Sequence, residues 1–82
     1  MKAYLPFTTR SAALRIEKLL YNNGINVATT AMPRGLGSGC ELCLTLPLPD
    51  AAKAWRLINA AGLADGCRGM HRPAGGGWER VF

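Results

Sequence analysis

The sequence lacks a hydrophobic run long enough to cross a membrane, because no window of about 18 consecutive apolar residues occurs in the chain. The apolar stretch at the start of the sequence, residues 1–8, is too short for a secretory signal. Acidic residues are few, five against ten basic ones, and the net charge is +5. We therefore expect a cytoplasmic protein, whose scattered basic residues favour anionic partners only weakly.

Cysteine is scarce, and its count is odd: Cys40, Cys43 and Cys67. Without an export signal, this favours free thiols in a reducing compartment. Residues 40–43 form a C-x-x-C motif, but its redox version normally opens a helix, and here the motif begins a predicted strand. Residues i and i+3 of a strand point to opposite faces, so a disulfide between Cys40 and Cys43 is disfavoured unless a bulge or a late strand start intervenes. Whether either of the other cysteines pairs with Cys40 stays open.

Motifs for metals and nucleotides are also missing. A zinc site needs about four ligands. The three cysteines and His71 reach that number, but no second C-x-x-C or paired histidine accompanies them. The glycine-rich segment lacks the Lys-Ser/Thr pair of a P-loop and the spacing of a dinucleotide fingerprint. We therefore predict no metal site and no cofactor, and we interpret His71 as a surface or edge-strand residue.

The elements that are present alternate between strand and helix. β-Branched and apolar patterns predict strands over residues 2–7, 25–31, 40–46 and 66–72, and helical spacing of apolar residues predicts helices over 11–23 and 50–61. The order βαββαβ predicts an α+β, ferredoxin-like domain over residues 1–72, with a four-stranded antiparallel sheet in the order 4-1-3-2 and both helices on one face. Residues 73–82 are interpreted as a glycine-rich flexible link and a short apolar tail.

This topology predicts that Cys40, the turn at residues 8–11 and Cys67 lie at one end of the sheet. Cys40 follows a glycine-rich loop, where the positive charge of Arg34 and the N-terminus of the first helix would favour its thiolate. Arg34 and the loop amides are candidates to hold a small anion. The alternative for Cys40 is a small buried hydrophobe, which we favour for Cys43.

The segment from Thr8 to Leu46 resembles a family of small bacterial proteins described as selenium/sulfur carrier protein-like. The resemblance is carried by the strand end at residues 7–9, the helix motif at 13–20 with residues 24–25, and the loop at 33–40. Pro33, Arg34, Ser38 and Cys40 match the family's loop. Gly37 and Gly39 replace typical serines, and Glu41 replaces the usual glycine.

The resemblance spans about residues 2–70 and implies a cytosolic βαββαβ domain whose Cys40 holds sulfur or selenium as a persulfide or selenenylsulfide. Arg34, Gly37, Ser38 and Gly39 are the residues predicted to surround the cargo, with Cys43 and Cys67 as secondary candidates. Glu17 lies within the helix motif and is a candidate to orient Arg34 or a loop amide, the alternative being a solvated helix residue.

We expect a carrier or chaperone rather than a catalyst, with a cysteine desulfurase or another sulfur- or selenium-transfer protein as its partner. The alternative is a non-enzymatic interaction module whose cysteine only packs and whose basic surface or Trp78 tail binds a partner. Nucleic-acid binding ranks last, because the third strand has no aromatic residue for base stacking. Whether the domain forms homo-oligomers is left open.

Overall fold

The computed structural model describes residues 1–36 and 42–82, which form two helices and one sheet. The strands are β1 (Lys2–Pro6), β2 (Ala28–Ala31), β3 (Leu42–Pro47), β4 (His71–Ala74) and β5 (Gly77–Arg80), and the helices are α1 (Arg10–Asn22) and α2 (Ala51–Ala60). Short 3-10 turns at Leu48–Asp50 and Ala64–Gly66 precede and follow α2. Within these described ranges, no helix has both the length and the apolar character needed to cross a membrane.

The sheet is antiparallel and has five strands in the order β2-β3-β1-β4-β5. The predicted order of the first four strands is confirmed. The predicted number of strands is wrong, because β5 extends the sheet beyond β4, so the fold is α+β but departs from a four-stranded ferredoxin-like domain. The predicted second strand is also too long, since only Ala28–Ala31 pairs with β3.

The C-terminal segment differs most from its predicted structure. Strand β4 begins at His71 rather than at residue 66, and it pairs with β5 in a hairpin from His71↔Arg80 to Ala74↔Gly77. Gly75 and Gly76 form the turn, with φ values of 55° and 81°. Two successive residues with positive φ are typical of a type I′ turn, whose twist matches that of the paired strands. The glycines that suggested a flexible link therefore close a hairpin.

Both helices pack on one face of the sheet. Alternate residues of β1 and β3 face them, because successive side chains of a strand point to opposite sides. The buried residues of this core are Ala3, Leu5, Phe7, Ala13, Ile16, Leu20, Leu44, Leu46, Ala51, Ala54 and Ile58, together with Ile25, Cys67 and Met70 from the connecting segments. Burial of this apolar surface, at about 25 cal/mol per Å², is the main force that holds the sheet and the helices together.

The ends of α1 follow the local sequence signals. Thr9 is the N-cap, and its hydroxyl accepts a hydrogen bond from the Ala12 amide at 3.1 Å. At the other end, the Ile25 amide donates to the Leu20 carbonyl and the Gly24 amide to the Tyr21 carbonyl. These two bonds define a Schellman motif with Gly24 at C′. Both ends of α1 are thus formed by residue types that favour these positions.

Candidate functional site

The residue predicted to carry the chemistry, Cys40, lies outside the described residues, as do Gly37, Ser38 and Gly39. Arg34 and the residues on both sides of this segment, Leu36 and Leu42, are described. The site is therefore built from the turn that leads into the segment, the strand that follows it, and the groups around them.

The turn before the segment is formed by Pro33, Arg34, Gly35 and Leu36. The Leu36 amide donates to the Pro33 carbonyl at 3.2 Å, which closes a β-turn. Gly35 occupies the third position with φ of 81°, whereas Arg34 has no positive φ. This combination is the signature of a type II turn, which explains why glycine follows arginine here. The Arg34 side chain is exposed to solvent.

Trp78 of β5 holds this turn against the sheet. Its indole Nε1 donates to the Arg34 carbonyl at 3.1 Å, and its ring packs edge-on against Tyr4 of β1, with ring centroids 5.0 Å apart. Strand β2, which precedes the turn, is at one edge of the sheet, and β5 is at the other. The turn that follows β2 is therefore bonded to a side chain from the strand at the opposite edge of the sheet.

Cys43 lies in the middle of the sheet, opposite Pro6 of β1 and Thr30 of β2. Its side chain has no exposed surface. Burial raises the pKa of the Cys43 thiol to about 11, against a smaller lowering by the backbone of Leu5. A thiol with such a pKa is almost fully protonated near neutral pH and is a poor nucleophile. The structure thus places Cys43 where a packing role suits it.

Cys67 lies at the end of the sheet where β1 ends. It forms an isolated bridge with Phe7, and the Thr8 amide donates to the Gly66 carbonyl at 2.9 Å. Two of the three groups predicted to share this end, Cys67 and the turn after β1, are therefore brought together; Cys40 is outside the described residues. Burial raises the pKa of the Cys67 thiol, although the Gly69 backbone and the Arg80 charge oppose the rise. Its Sγ donates to the Ala64 carbonyl at 3.3 Å.

Glu17 joins α1 to the edge of the sheet. Its Oε2 accepts a hydrogen bond from the Thr29 hydroxyl of β2 at 3.0 Å. Within the described part of the chain, this is the contact that the structure gives Glu17, and its predicted role in orienting Arg34 or a loop amide stays a prediction. This hydrogen bond joins α1 to the edge strand β2.

A groove of about 270 Å³ lies between α1 and the start of β3. Its lining includes Arg10 and Glu17 on the helix and Leu42 on the strand. Leu42 is the first described residue after the cysteine segment, two positions after Cys40 in the sequence. The groove therefore offers a cationic and an anionic side chain next to the point where that segment joins the sheet.

The sequence analysis offers the tail that contains Trp78 as a partner contact of the alternative interaction module. The Trp78 side chain is half-buried, and its indole donates a hydrogen bond within its own chain. Trp55 of α2 packs partly buried against the core and stacks on Phe82, with 6.3 Å between the ring centroids. The β-propensity of residues 78–82 is the signal that could have indicated a fifth strand.

No group of three His, Cys, Asp or Glu side chains within residues 1–36 and 42–82 is arranged to hold a metal ion. His71 lies instead with its Nε2 2.9 Å from the Arg68 carbonyl, at the start of β4. This contact holds the imidazole against the backbone three residues earlier in the chain.

These observations define a small α+β domain. A Pro-Arg-Gly turn, which Trp78 and Tyr4 hold against the sheet, leads into the cysteine-bearing segment that precedes β3. The family model described as "Putative Se/S carrier protein-like" matches residues 2–66. The chain belongs to this family. It matches no curated protein and no solved structure. The matched range contains Cys40 and Cys43, and it ends before Cys67 and the β4–β5 hairpin.

Proposed function

We propose that this protein carries sulfur or selenium as a persulfide or selenenylsulfide on Cys40. The proposal rests on the burial and the raised pKa of the other two thiols. Cys43 is fully enclosed and Cys67 is 8% exposed, and burial raises the pKa of both thiols. Neither has the properties of a cargo acceptor, so the chemistry is assigned to the cysteine of the family's loop motif.

The transfer requires no oxidant. The Cys40 thiolate attacks the terminal sulfur of a persulfide on the donor protein, the S–S bond of the donor breaks, and the donor cysteine leaves as a thiolate. The new bond joins Cys40 to the transferred sulfur, which keeps its proton or releases it to water. A selenium atom carried as a selenenylsulfide on the donor is transferred in the same way.

Arg34 supports this role through its charge. Its side chain is exposed, whereas its backbone carbonyl accepts a hydrogen bond from Trp78. The guanidinium therefore extends from a turn whose backbone is held in place. A nearby cation favours a thiolate over a thiol and would also favour a bound hydropersulfide anion. We propose that Arg34, with Gly37, Ser38 and Gly39, surrounds the anionic cargo, and that a cysteine desulfurase or another sulfur- or selenium-transfer protein supplies it.

The proposal is tested by mass spectrometry of the protein after incubation with a cysteine desulfurase and free cysteine, without reductant. We expect a gain of one sulfur atom on the peptide that contains Cys40, and loss of that gain in Cys40→Ser. The matched control is Cys67→Ser, which removes a thiol of the same chain and should keep the sulfur gain. Equal sulfur loading of Cys40→Ser and the parent would show that the assignment is wrong.

Alkylation of the folded protein separates a carrier from a module with a purely structural cysteine. We expect iodoacetamide at neutral pH to modify Cys40 first, with Cys43 and Cys67 reacting only after unfolding, because their thiols are buried and protonated. If Cys40 stays unmodified until the protein unfolds, the interaction-module alternative is the better account.

A further inference from the structure

Of the four large apolar side chains that are exposed among residues 1–36 and 42–82, Met1 and Phe82 are the first and last residues, and the other two are on α1. Leu14 is 60% exposed and Tyr21 is 73% exposed. They are seven residues apart, and therefore lie on the same side of the helix about two turns from each other. Glu17 and Lys18 lie between them. These four side chains and Val27 line a groove of about 440 Å³ beside β2.

Strand β2 itself is an edge strand with little to prevent further pairing. Its four residues, Ala28–Ala31, contain no charge and no proline. The other edge of the sheet, β5, carries Glu79 and Arg80, and Glu79 is paired with Arg72 of β4. Natural proteins protect edge strands with charges, prolines or bulges. Of the two edges that the described strands form, only the β5 edge carries charges.

The exposed side of α1 is complementary to itself. When two copies of α1 pack antiparallel about a two-fold axis between residues 17 and 18, Leu14 faces Tyr21 of the second copy and Glu17 faces Lys18 of the second copy. Each contact occurs twice, as an isologous interface requires. Apolar groups meet apolar groups, and opposite charges meet.

The same axis also suits the strand. Antiparallel pairing of β2 with β2 of a second copy has its centre between Thr29 and Thr30. The hydrogen bond from the Thr29 hydroxyl to the Glu17 carboxylate, 3.0 Å long, fixes Thr29 beside the centre of the helix contact. The centres of the helix pair and of the strand pair therefore lie side by side on the molecule, so that one two-fold axis serves both.

We propose that the surface formed by Leu14, Glu17, Lys18, Tyr21 and β2 is a homodimer interface. A second copy of this chain pairs its β2 with β2 and packs its α1 against α1, which joins two five-stranded sheets into one sheet of ten strands. Self-complementary charge selects a second copy over a partner of other sequence. Arg10 lines the other groove, beside Leu42, and lies outside the stretch that pairs.

The test is sedimentation equilibrium of the full chain over a range of concentrations, with charge variants. We expect a monomer–dimer equilibrium in the parent. Lys18→Glu replaces two attractive contacts by two repulsive ones, so its dimer dissociation constant should rise about tenfold. Arg15→Glu is the matched control, because it makes the same charge change on the same helix but lines a different groove, with Gly62 and Gly66, and is not part of the proposed interface. Its dissociation constant should stay near that of the parent.

Two further variants distinguish a specific interface from a general charge effect. Adding Glu17→Lys to Lys18→Glu restores opposite charges across the axis and should recover most of the lost association. Tyr21→Ser removes an exposed side chain and should weaken the dimer without lowering thermal stability at a concentration where the parent is monomeric. A parent that stays monomeric at all concentrations, or equal weakening by Lys18→Glu and Arg15→Glu, would overturn the proposal.

Discussion

Trp78 makes a hydrogen bond to a residue 44 positions away, and that bond fixes the turn before the cysteine segment. Trp78→Phe keeps an aromatic ring next to Tyr4 but removes the N–H donor. We expect the free energy of unfolding to fall by about 1 kcal/mol, the usual net value of one such bond. Urea denaturation measures this loss.

A second measurement reports on the turn itself. The Leu36 amide is bonded to the Pro33 carbonyl, so its hydrogen exchange should become faster in Trp78→Phe when the anchor is lost. The matched control is Trp55→Phe, which alters a ring stacked on Phe82 and should leave Leu36 exchange unchanged. Unchanged Leu36 protection in Trp78→Phe would mean that the indole does not hold the turn.

The residues of the candidate site differ in the kind of information that identifies them. Arg34 and Cys40 are found from the local loop motif, because a turn and a family resemblance are both read from consecutive residues. Trp78 and Tyr4 could not be assigned to the site in this way. Their contact joins the first and last strands of the chain, and no local pattern specifies which side chains meet across a sheet.

The C-terminal end of the chain returns to the sheet through a close approach at Gly69. This residue has φ of 81°, and a Cβ placed on it would lie 2.7 Å from the Phe82 carbonyl oxygen and 2.6 Å from Arg80 Nε. The Met70 amide donates to the same carbonyl at 3.2 Å. Glycine at residue 69 thus allows the backbone after β5 to pair with Met70.

Gly69→Ala should therefore destabilise the protein by about 2–4 kcal/mol, the sum of the positive-φ cost and the steric overlap. The matched control is Gly76→Ala, which has the same φ of 81° but no atom within 4 Å of the added Cβ. It should cost about 1–2 kcal/mol. Chemical denaturation of both variants measures the difference, and equal losses would show that the overlap relaxes without cost.

The helices and the central strands were predictable because their signals are local. The apolar spacing of α1 and α2, the Thr9 cap and the Gly24 stop all lie within a few residues of the structure they specify. The β4–β5 hairpin was mispredicted because its glycine triplet is equally typical of a linker. Only pairing of Trp78 and its neighbours with β4 decides that the glycines form a turn.

The stability of the whole domain should depend on pH through Cys43. Its pKa is raised from 9.0 to about 11 in the folded state. Above pH 9 the unfolded chain loses the thiol proton while the folded protein keeps it, so the unfolded state binds fewer protons and stability falls as pH rises. The stabilisation that the protonated Cys43 thiol contributes is fully present below about pH 9 and is lost between about pH 9 and pH 11. The free energy of unfolding falls by about 2–3 kcal/mol over this interval.

This dependence is measured by urea denaturation of the parent and Cys43→Ala between pH 8 and 11. The difference between the two proteins removes the titration of tyrosines and lysines that both share. We expect the advantage of the parent over Cys43→Ala to shrink by about 2 kcal/mol or more over this range. A difference that stays constant with pH would show that the Cys43 thiol titrates alike in both states.

The domain as a whole extends beyond the part that defines its family. The family model ends at residue 66, yet Met70 is fully buried in the core, and the Arg68 amide donates to the Pro6 carbonyl at 2.8 Å. The segment after residue 66 supplies two of the five strands and the tryptophan that holds the turn. In this chain the family's loop motif is therefore supported by residues outside the family match.

The sequence by itself determined the two helices, the order of the first four strands and the family to which the chain belongs, because these rest on periodicity, on the order of the elements along the chain and on a motif of consecutive residues. Tertiary structure alone decided that β5 joins the sheet, that Cys67 is enclosed, and that Trp78 reaches the Arg34 turn. These features depend on which distant segments exclude water together, and the free energy of that burial belongs to the assembled sheet rather than to any stretch of sequence.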